Sequence, residues 1–328
     1  IMGGEEATAL DAIERALEDR LVRSGVDPEG RSWKRAAQET TEATLDASLE
    51  FPPGQSLFTM IVTERVESWI DGVREPRVAA WRGAVANRLL SPIDPPDGAE
   101  AMVAPMTWVL EQAADGLRLT QSHYLPPAVV REGVERFDWW PFDRPPRSEA
   151  DVPQLLDLRE VATDLRLVRR TGRDLKLTKS GVAALTNPAV LWRRLVDTIG
   201  GSSEFEGIVA ELLALSLLHG DAVDDELERE LASVLAALGW RRTDGEISPR
   251  DVGEALWERL RVWVALNIVD HHWSVWDSAT QEELEPSRVA LTDAGVTTVL
   301  AYLRRRALAP RHDVGHPDDF DDLDDLDD

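Results

Sequence analysis

The chain contains no cysteine, which excludes disulfides, thiolate nucleophiles, iron–sulfur clusters and cysteine-based zinc sites. Lysine is almost missing too: only three of the 36 basic residues are Lys, an arginine bias that reflects GC-rich coding and carries no chemistry of its own. No stretch of about 18 uninterrupted apolar residues occurs, so neither a membrane span nor a membrane partner is expected. The N-terminal stretch is charged and amphipathic and lacks a signal-peptide cleavage pattern, which makes a cytoplasmic location the default expectation. Also missing are GxGxxG, GxxxxGKS, GxSxG and HExxH, the common phosphate-cradle, nucleophile-elbow and zinc-protease signatures. No catalytic residue, metal site or cofactor is therefore assigned. An enzyme with no local motif stays open, because an active site can be assembled from residues distant in sequence.

What is present is a folding composition: 43% hydrophobic and 30% charged over 328 residues, enough for about two domains with buried cores. Acids outnumber bases 61 to 36, a formal charge of −25, but the excess is uneven. Between Arg159 and Arg194 nine bases (Arg159, Arg166, Arg169, Arg170, Arg173, Lys176, Lys179, Arg193, Arg194) face three acids, Glu160, Asp164 and Asp174. The opposite pole is the last sixteen residues, which hold nine aspartates. Self-repulsion and sparse apolar content leave chain entropy uncompensated there, so 312–328 is expected to be a disordered acidic tail. His312 and His316 flank its start, but Pro310 and Pro317 oppose the helix that would bring them together on a metal.

Apolar spacing predicts a mainly helical protein. Leu10, Ile13, Leu17 and Leu21 mark a first helix; Ser56 caps a second over 56–70 and Pro76 opens a third over 76–90, giving a helical N-terminal module over 1–92. The three prolines of 91–98 form the best linker candidate. Helices are then expected at about 99–114, 126–137, 152–168, 203–219 and 223–240.

An internal repeat is the most informative signal. Residues 165–182 read LRLVRRTGRDLKLTKSGV, and later LNIVD at Leu266 is followed by SRVALTDAGV at Ser287. Each runs helix end, hairpin, alternating strand, then LTxxGV, with Thr178 and Thr292 at helix N-caps and Gly181 and Gly295 sparing the new helix a side chain against the strand. LRLT at Leu117 is a weaker echo without the glycine. Helix, two-stranded wing, LTxxG and helix resembles the second half of a winged helix, as in the MarR-type regulators. The expected architecture is thus two winged-helix-like units with short β-hairpins, at 99–200 and, with preceding helices, 201–311. Residues 117–308 further resemble an uncharacterised bacterial region of the plasmid ORF-three-like proteins, through LTQSHYLPPAVV, LLDLREVATDLRLVRR with LKLTKSG, Val190-Leu191-Trp192, and LTDAGV with YLRRRA. That resemblance implies no activity.

A DNA-reading winged helix joins its second and third helices by a tight turn and puts the third in the major groove. Here FDWWPFDRPPRSEAD intervenes, and Asp151, Asp157, Glu160 and Asp164 would oppose phosphates. The basic wing, from Arg166 and Arg169 through Lys179 with Arg193 and Arg194 beyond it, is the nucleic-acid or polyanion candidate. The plain alternative is that these cations pair with the protein's own carboxylates. The second hairpin, with Asp270, Asp277, Glu282, Glu283 and Glu285, suits protein contacts instead. Partner-binding candidates are Trp139, Trp140 and Phe142 in the proline-rich loop, weighed against a loop folded down over its own core, and His271, His272, Trp273 and Trp276, weighed against an ordinary hairpin surface. Trp33, Trp69, Trp81, Trp192, Trp257 and Trp263 sit at helical spacings and are expected in cores. The expected function is a non-enzymatic protein-interaction or regulatory module of the bacterial cytoplasm, with homo-oligomers possible. The alternative is a DNA-binding transcriptional regulator led by the wing at 169–179.

Overall fold

The computed structural model describes residues 4–24, 31–47, 55–140, 142, 144–242, 245–272, 274–276 and 283–309; the acidic tail, His312, His316 and Trp273 lie outside them. The described chain is mainly α-helical, with antiparallel sheets of two or three strands. It divides into two compact units, Ile1–Gly72 with Arg304–Asp328, and Val73–Leu303.

In the first unit α1 (Gly4–Ser24) and α2 (Arg31–Asp46) pack on each other and on α3 (Leu57–Asp71). Ser56 caps α3 as its sequence predicts, accepting from the Thr59 N–H at 3.2 Å, and Leu57, Val62, Val66 and Trp69 form the buried face. α2 is not among the helices expected from the sequence: it is amphipathic, but Trp33 and Leu45 are its only large apolar residues. Tertiary contacts hold it: Thr40 is buried, accepts from Arg20 Nη1 at 2.7 Å and donates to the Ala36 carbonyl at 2.8 Å.

The second unit opens with α4 (Pro76–Leu89), which the 91–98 stretch joins to α5 (Ala99–Ala113). There follow β1 (Leu117–Arg118), α6 (Pro127–Phe137), α7 (Pro153–Asp164), β2 (Val168–Thr171), β3 (Asp174–Leu177), α8 (Lys179–Leu185) and α9 (Pro188–Val196). The pattern then recurs: α10 (Glu204–Leu217), β4 (Ala222–Val223), α11 (Asp224–Ala237), a hairpin of β5 (Arg241–Arg242) and β6 (Gly245–Glu246), and α12 (Pro249–Ala265). It closes with β7 (Val269–His272), an inserted hairpin of β8 (Val275–Trp276) and β9 (Glu283–Glu285), β10 (Arg288–Leu291) and α13 (Asp293–Leu308). The two three-stranded sheets have equivalent orders, β1-β3-β2 and β4-β10-β7, so in each the first strand pairs with the last. The weak echo at Leu117 is thus a sheet strand. The helix expected to reach 168 stops at Asp164, because Val168 already pairs with Leu177.

Both copies close on one backbone device. Arg166 and Asn267 take the left-handed conformation just past α7 and α12, at φ 54° and 51°. The next residues donate back into the helix, Leu167 N–H to Ala162 at 2.8 Å and Ile268 N–H to Trp263 at 2.8 Å. Their own carbonyls accept from the Thr178 and Thr292 N–H groups at 2.9 and 3.1 Å, and each threonine hydroxyl accepts from the glycine three residues on, at 3.0 and 2.8 Å. A Cβ on Gly181 would lie 2.0 Å from the Leu167 carbonyl oxygen, and one on Gly295 1.8 Å from that of Ile268. LTxxG is therefore the sequence of a helix start jammed against the preceding helix end.

Candidate functional site

The long connection between α6 and α7 is pinned by Glu149, fully buried in a short 3-10 turn: Arg159 Nε donates to its Oε1 at 2.6 Å and the Leu125 N–H to its Oε2 at 2.8 Å. α7 lies beside α12, the corresponding helix of the second copy, and the two pack along each other. Asp157, on the face of α7 that sequence leaves to solvent, is covered by α12: Arg261 Nε donates to its Oδ2 at 3.0 Å, and its Nη2 approaches Oδ1 at 3.5 Å. Burial pushes the Asp157 carboxyl up from its ordinary value, and the Arg261 guanidinium offsets only part of that. Of the other carboxylates expected to oppose phosphate, Asp151, Glu160 and Asp164 stay exposed.

The wing lies open. Arg166, Arg169, Arg170, Lys176 and Lys179 are exposed, and no ion pair reaches them among the described residues. The expected alternative, pairing with the chain's own carboxylates, holds for Arg159 on Glu149 and for Arg118 on Asp174 at 3.0 Å, but not for these five. Arg173 is the exception within the hairpin. It sits in the turn after Gly172 and donates from Nε and Nη2 to the Leu119 carbonyl at 3.1 and 2.8 Å, tying hairpin to β1. Arg193 and Arg194 are exposed in the last turn of α9, where the helix dipole favours cations without any ligand.

The second hairpin differs. His271 is not on its surface: the side chain is 3% exposed, with its ring against Trp257 at 5.4 Å. Its Nε2 lies 2.9 Å from Asp224 Oδ2 and 3.1 Å from Ser287 Oγ, while Ser287 donates to the same carboxylate oxygen at 2.6 Å. A nucleophilic triad needs serine and carboxylate on opposite imidazole nitrogens; here both meet one nitrogen, so the cluster is a lock tying the start of α11 to β7 and β10. Burial pushes the Asp224 carboxyl up, but the His271 and Ser287 hydrogen bonds and the His271 charge outweigh it and hold the group below the usual carboxylate range. A carboxylate depressed in the fold contributes stability above its unfolded value, near 4, and loses it as pH falls through the folded one. Asp224→Asn should therefore flatten the fall of melting temperature below about pH 4, read by thermal melts across an acid series; an unchanged acid limb counts against the lock. His272 and Asp270 are exposed, and Trp276 lies in β8.

In the aromatic loop, Trp139 stacks on Phe137 at 4.7 Å, and Phe137 meets Trp108 edge-on at 5.9 Å. Trp140 contacts Phe142 at 5.0 Å and donates to the Arg144 carbonyl. Both tryptophans are half-buried, as a folded-down loop requires, and Phe142 is left 64% exposed. Of the tryptophans expected in cores, Trp69, Trp192 and Trp263 are buried and Trp33, Trp81 and Trp257 half-buried.

Sequence reasoning missed the Asp157–Arg261 and Asp224–Ser287–His271 contacts, since nothing distinguishes an acid about to be covered from one left in water. Among the described residues there is no cluster of three or more metal-ligating side chains, and no helix is long and apolar enough to cross a membrane. Compared with protein-family models, with curated proteins and with solved structures, the chain matches none.

Proposed function

We propose that this protein is a non-enzymatic regulatory module of the bacterial cytoplasm, built on two winged helices and acting by binding protein. One observation carries the reading: α7 and α12, the third helices of the two copies, pack on each other, and Asp157 on α7 is covered by Arg261 of α12. In a DNA-reading winged helix that helix enters the major groove and contacts base edges. Spending it on an internal contact, with Glu160 and Asp164 exposed beside it, suits a scaffold better than a base reader. Where serine, histidine and carboxylate do meet, at Asp224, they are buried and share one nitrogen, which supports a non-enzymatic role.

The surfaces that suit a protein partner are Phe142 on the aromatic loop and Leu284, 61% exposed, on the second hairpin beside the exposed Glu285. The test is size-exclusion chromatography with light scattering, together with capture from a lysate of the source cells. A stable complex or oligomer is expected, weakened by Phe142→Ser with Leu284→Ser; as exposed side chains, these should each move stability by no more than about 0.5 kcal/mol. A strict monomer from which no partner is recovered overturns the proposal.

A further inference from the structure

We infer that the outward face of the first three-stranded sheet, with the residues flanking it, is a docking surface for the phosphate backbone of duplex nucleic acid, gripped without reading base sequence. The register builds the face. Arg169 stands directly opposite Lys176 across β2 and β3, and Thr171 opposite Asp174, which in turn stands opposite Arg118 on β1. Directly opposed residues share a face, as do residues two apart, so all five project from one side. Two like charges opposed in this way destabilise a sheet. The single acid on the face, Asp174, is already taken by Arg118 at 3.0 Å, which leaves Arg169 and Lys176 with no carboxylate among the described residues.

The second copy is an internal control, because the same backbone is built there without these charges. Pairing Val168 with Leu177 corresponds to pairing Val269 with Leu291, and the helix-end positions 166 and 267 share the left-handed conformation. By that correspondence Arg169 matches Asp270, Lys176 matches Ala290, Arg166 matches Asn267, and Lys179, just after the capping threonine, matches Asp293. At every one of the four positions the first copy has a cation and the second a neutral or acidic residue, so the fold does not require the cations. At position 166 the basic residue is even disfavoured, since Asn suits left-handed backbone better than Arg.

Chemistry selects the ligand. The centre of a protein interface is enriched in aromatic and apolar side chains and depleted in charge, and this face has no apolar residue among Arg118, Arg169, Thr171, Asp174 and Lys176. A duplex backbone, in contrast, offers closely repeated anions that several separate cations engage at once. With α7 packed against α12, the element that would add base contacts is occupied. Binding is therefore weak, salt-dependent and indifferent to sequence.

Fluorescence anisotropy of the full chain with two labelled duplexes of about 20 base pairs and unrelated sequence tests this. The duplexes should bind within about twofold of each other, with log affinity falling by about 0.9 per contact per log unit of salt, hence a slope of about 3 to 4 for four contacts. Arg169→Glu with Lys176→Glu should weaken binding at least tenfold without lowering the melting temperature, whereas Arg229→Glu with Arg250→Glu, the same change in net charge on exposed residues of α11 and α12, should leave it within about threefold. No binding by the parent chain overturns the inference, as do equal losses in the two variants or a preference above tenfold between the duplexes. Equally tight binding of a labelled polyglutamate reassigns the face to an acidic protein and overturns it too. None of these readouts depends on the capture experiment above, so the two proposals fail separately.

Discussion

Glu211→Leu is expected to remove about 3–5 kcal/mol of folding stability, the cost of breaking a buried ion pair by removing one partner. Glu211 on α10 is 1% exposed, and Arg82 on α4 is 8% exposed. Arg82 Nε and Nη2 donate to the same oxygen, Oε1, at 2.9 and 2.6 Å. Taking both ions from water was itself expensive, so the pair contributes little net stability while each partner depends on the other. Removing the carboxylate takes from a buried guanidinium the oxygen that accepts from both its Nε and its Nη2. Against the 5–15 kcal/mol typical of a folded protein this is a large fraction, so Glu211→Gln, which keeps an acceptor, serves as the milder variant if the leucine variant does not accumulate. Arg82→Leu with Glu211→Leu should recover most of the loss, because an apolar pair of similar volume is often neutral or better. Urea unfolding of the three variants checks this; a loss under about 1 kcal/mol for Glu211→Leu, or a double variant no better than the single, overturns it.

Gly295→Ala and Gly181→Ala are expected to cost about 3 kcal/mol each, the upper end for inserting a methyl group into packed structure. Their Cβ atoms would fall 1.8 and 2.0 Å from the Ile268 and Leu167 carbonyl oxygens, which are backbone and already accept from the capping threonines. A flexible side chain would swing aside; a carbonyl at a helix end moves only with the helix. Gly83→Ala is the control: on α4, exposed, with nothing within 4 Å of the added carbon, it should be neutral or stabilising by up to about 1 kcal/mol. The two glycine variants should also diverge in function. Gly181→Ala shifts the helix start behind the first hairpin and should weaken duplex binding, while Gly295→Ala should leave it unchanged at temperatures where the chain stays folded. If Gly295→Ala melts like Gly83→Ala, the close approach of helix start to helix end is not what LTxxG encodes.

Much of the fold was legible because its signals are local. Ser56 and Thr178 cap helices as their residue type predicts, and Pro76 opens α4. The repeated LTxxG located both hairpins, since a capping hydroxyl and a missing Cβ leave their mark within four residues. Less was legible where order comes from elsewhere: α2 has only Trp33 and Leu45 as large apolar residues, and although a folded-down aromatic loop was an open expectation, nothing in the sequence marks Glu149 as the fully buried residue that pins the chain ahead of α7. The candidate site was half visible. The cations of the first hairpin stood out by count, but nothing in the sequence separates Arg159, which is paired with Glu149, from Arg169, which is not.

By itself the sequence determined the helical class, the duplicated hairpin with its glycine lock, and the confinement of positive charge to one stretch of an acidic chain. These follow from spacing and side-chain type, which act over one or two turns of backbone. Only the tertiary structure decided that α7 lies on α12, that Asp157 and His271 are covered, and that Arg169 faces Lys176 with no acid between. Pairing and exposure depend on which distant surfaces meet, and the burial free energy that selects those contacts is summed over the whole core, so no single segment records it.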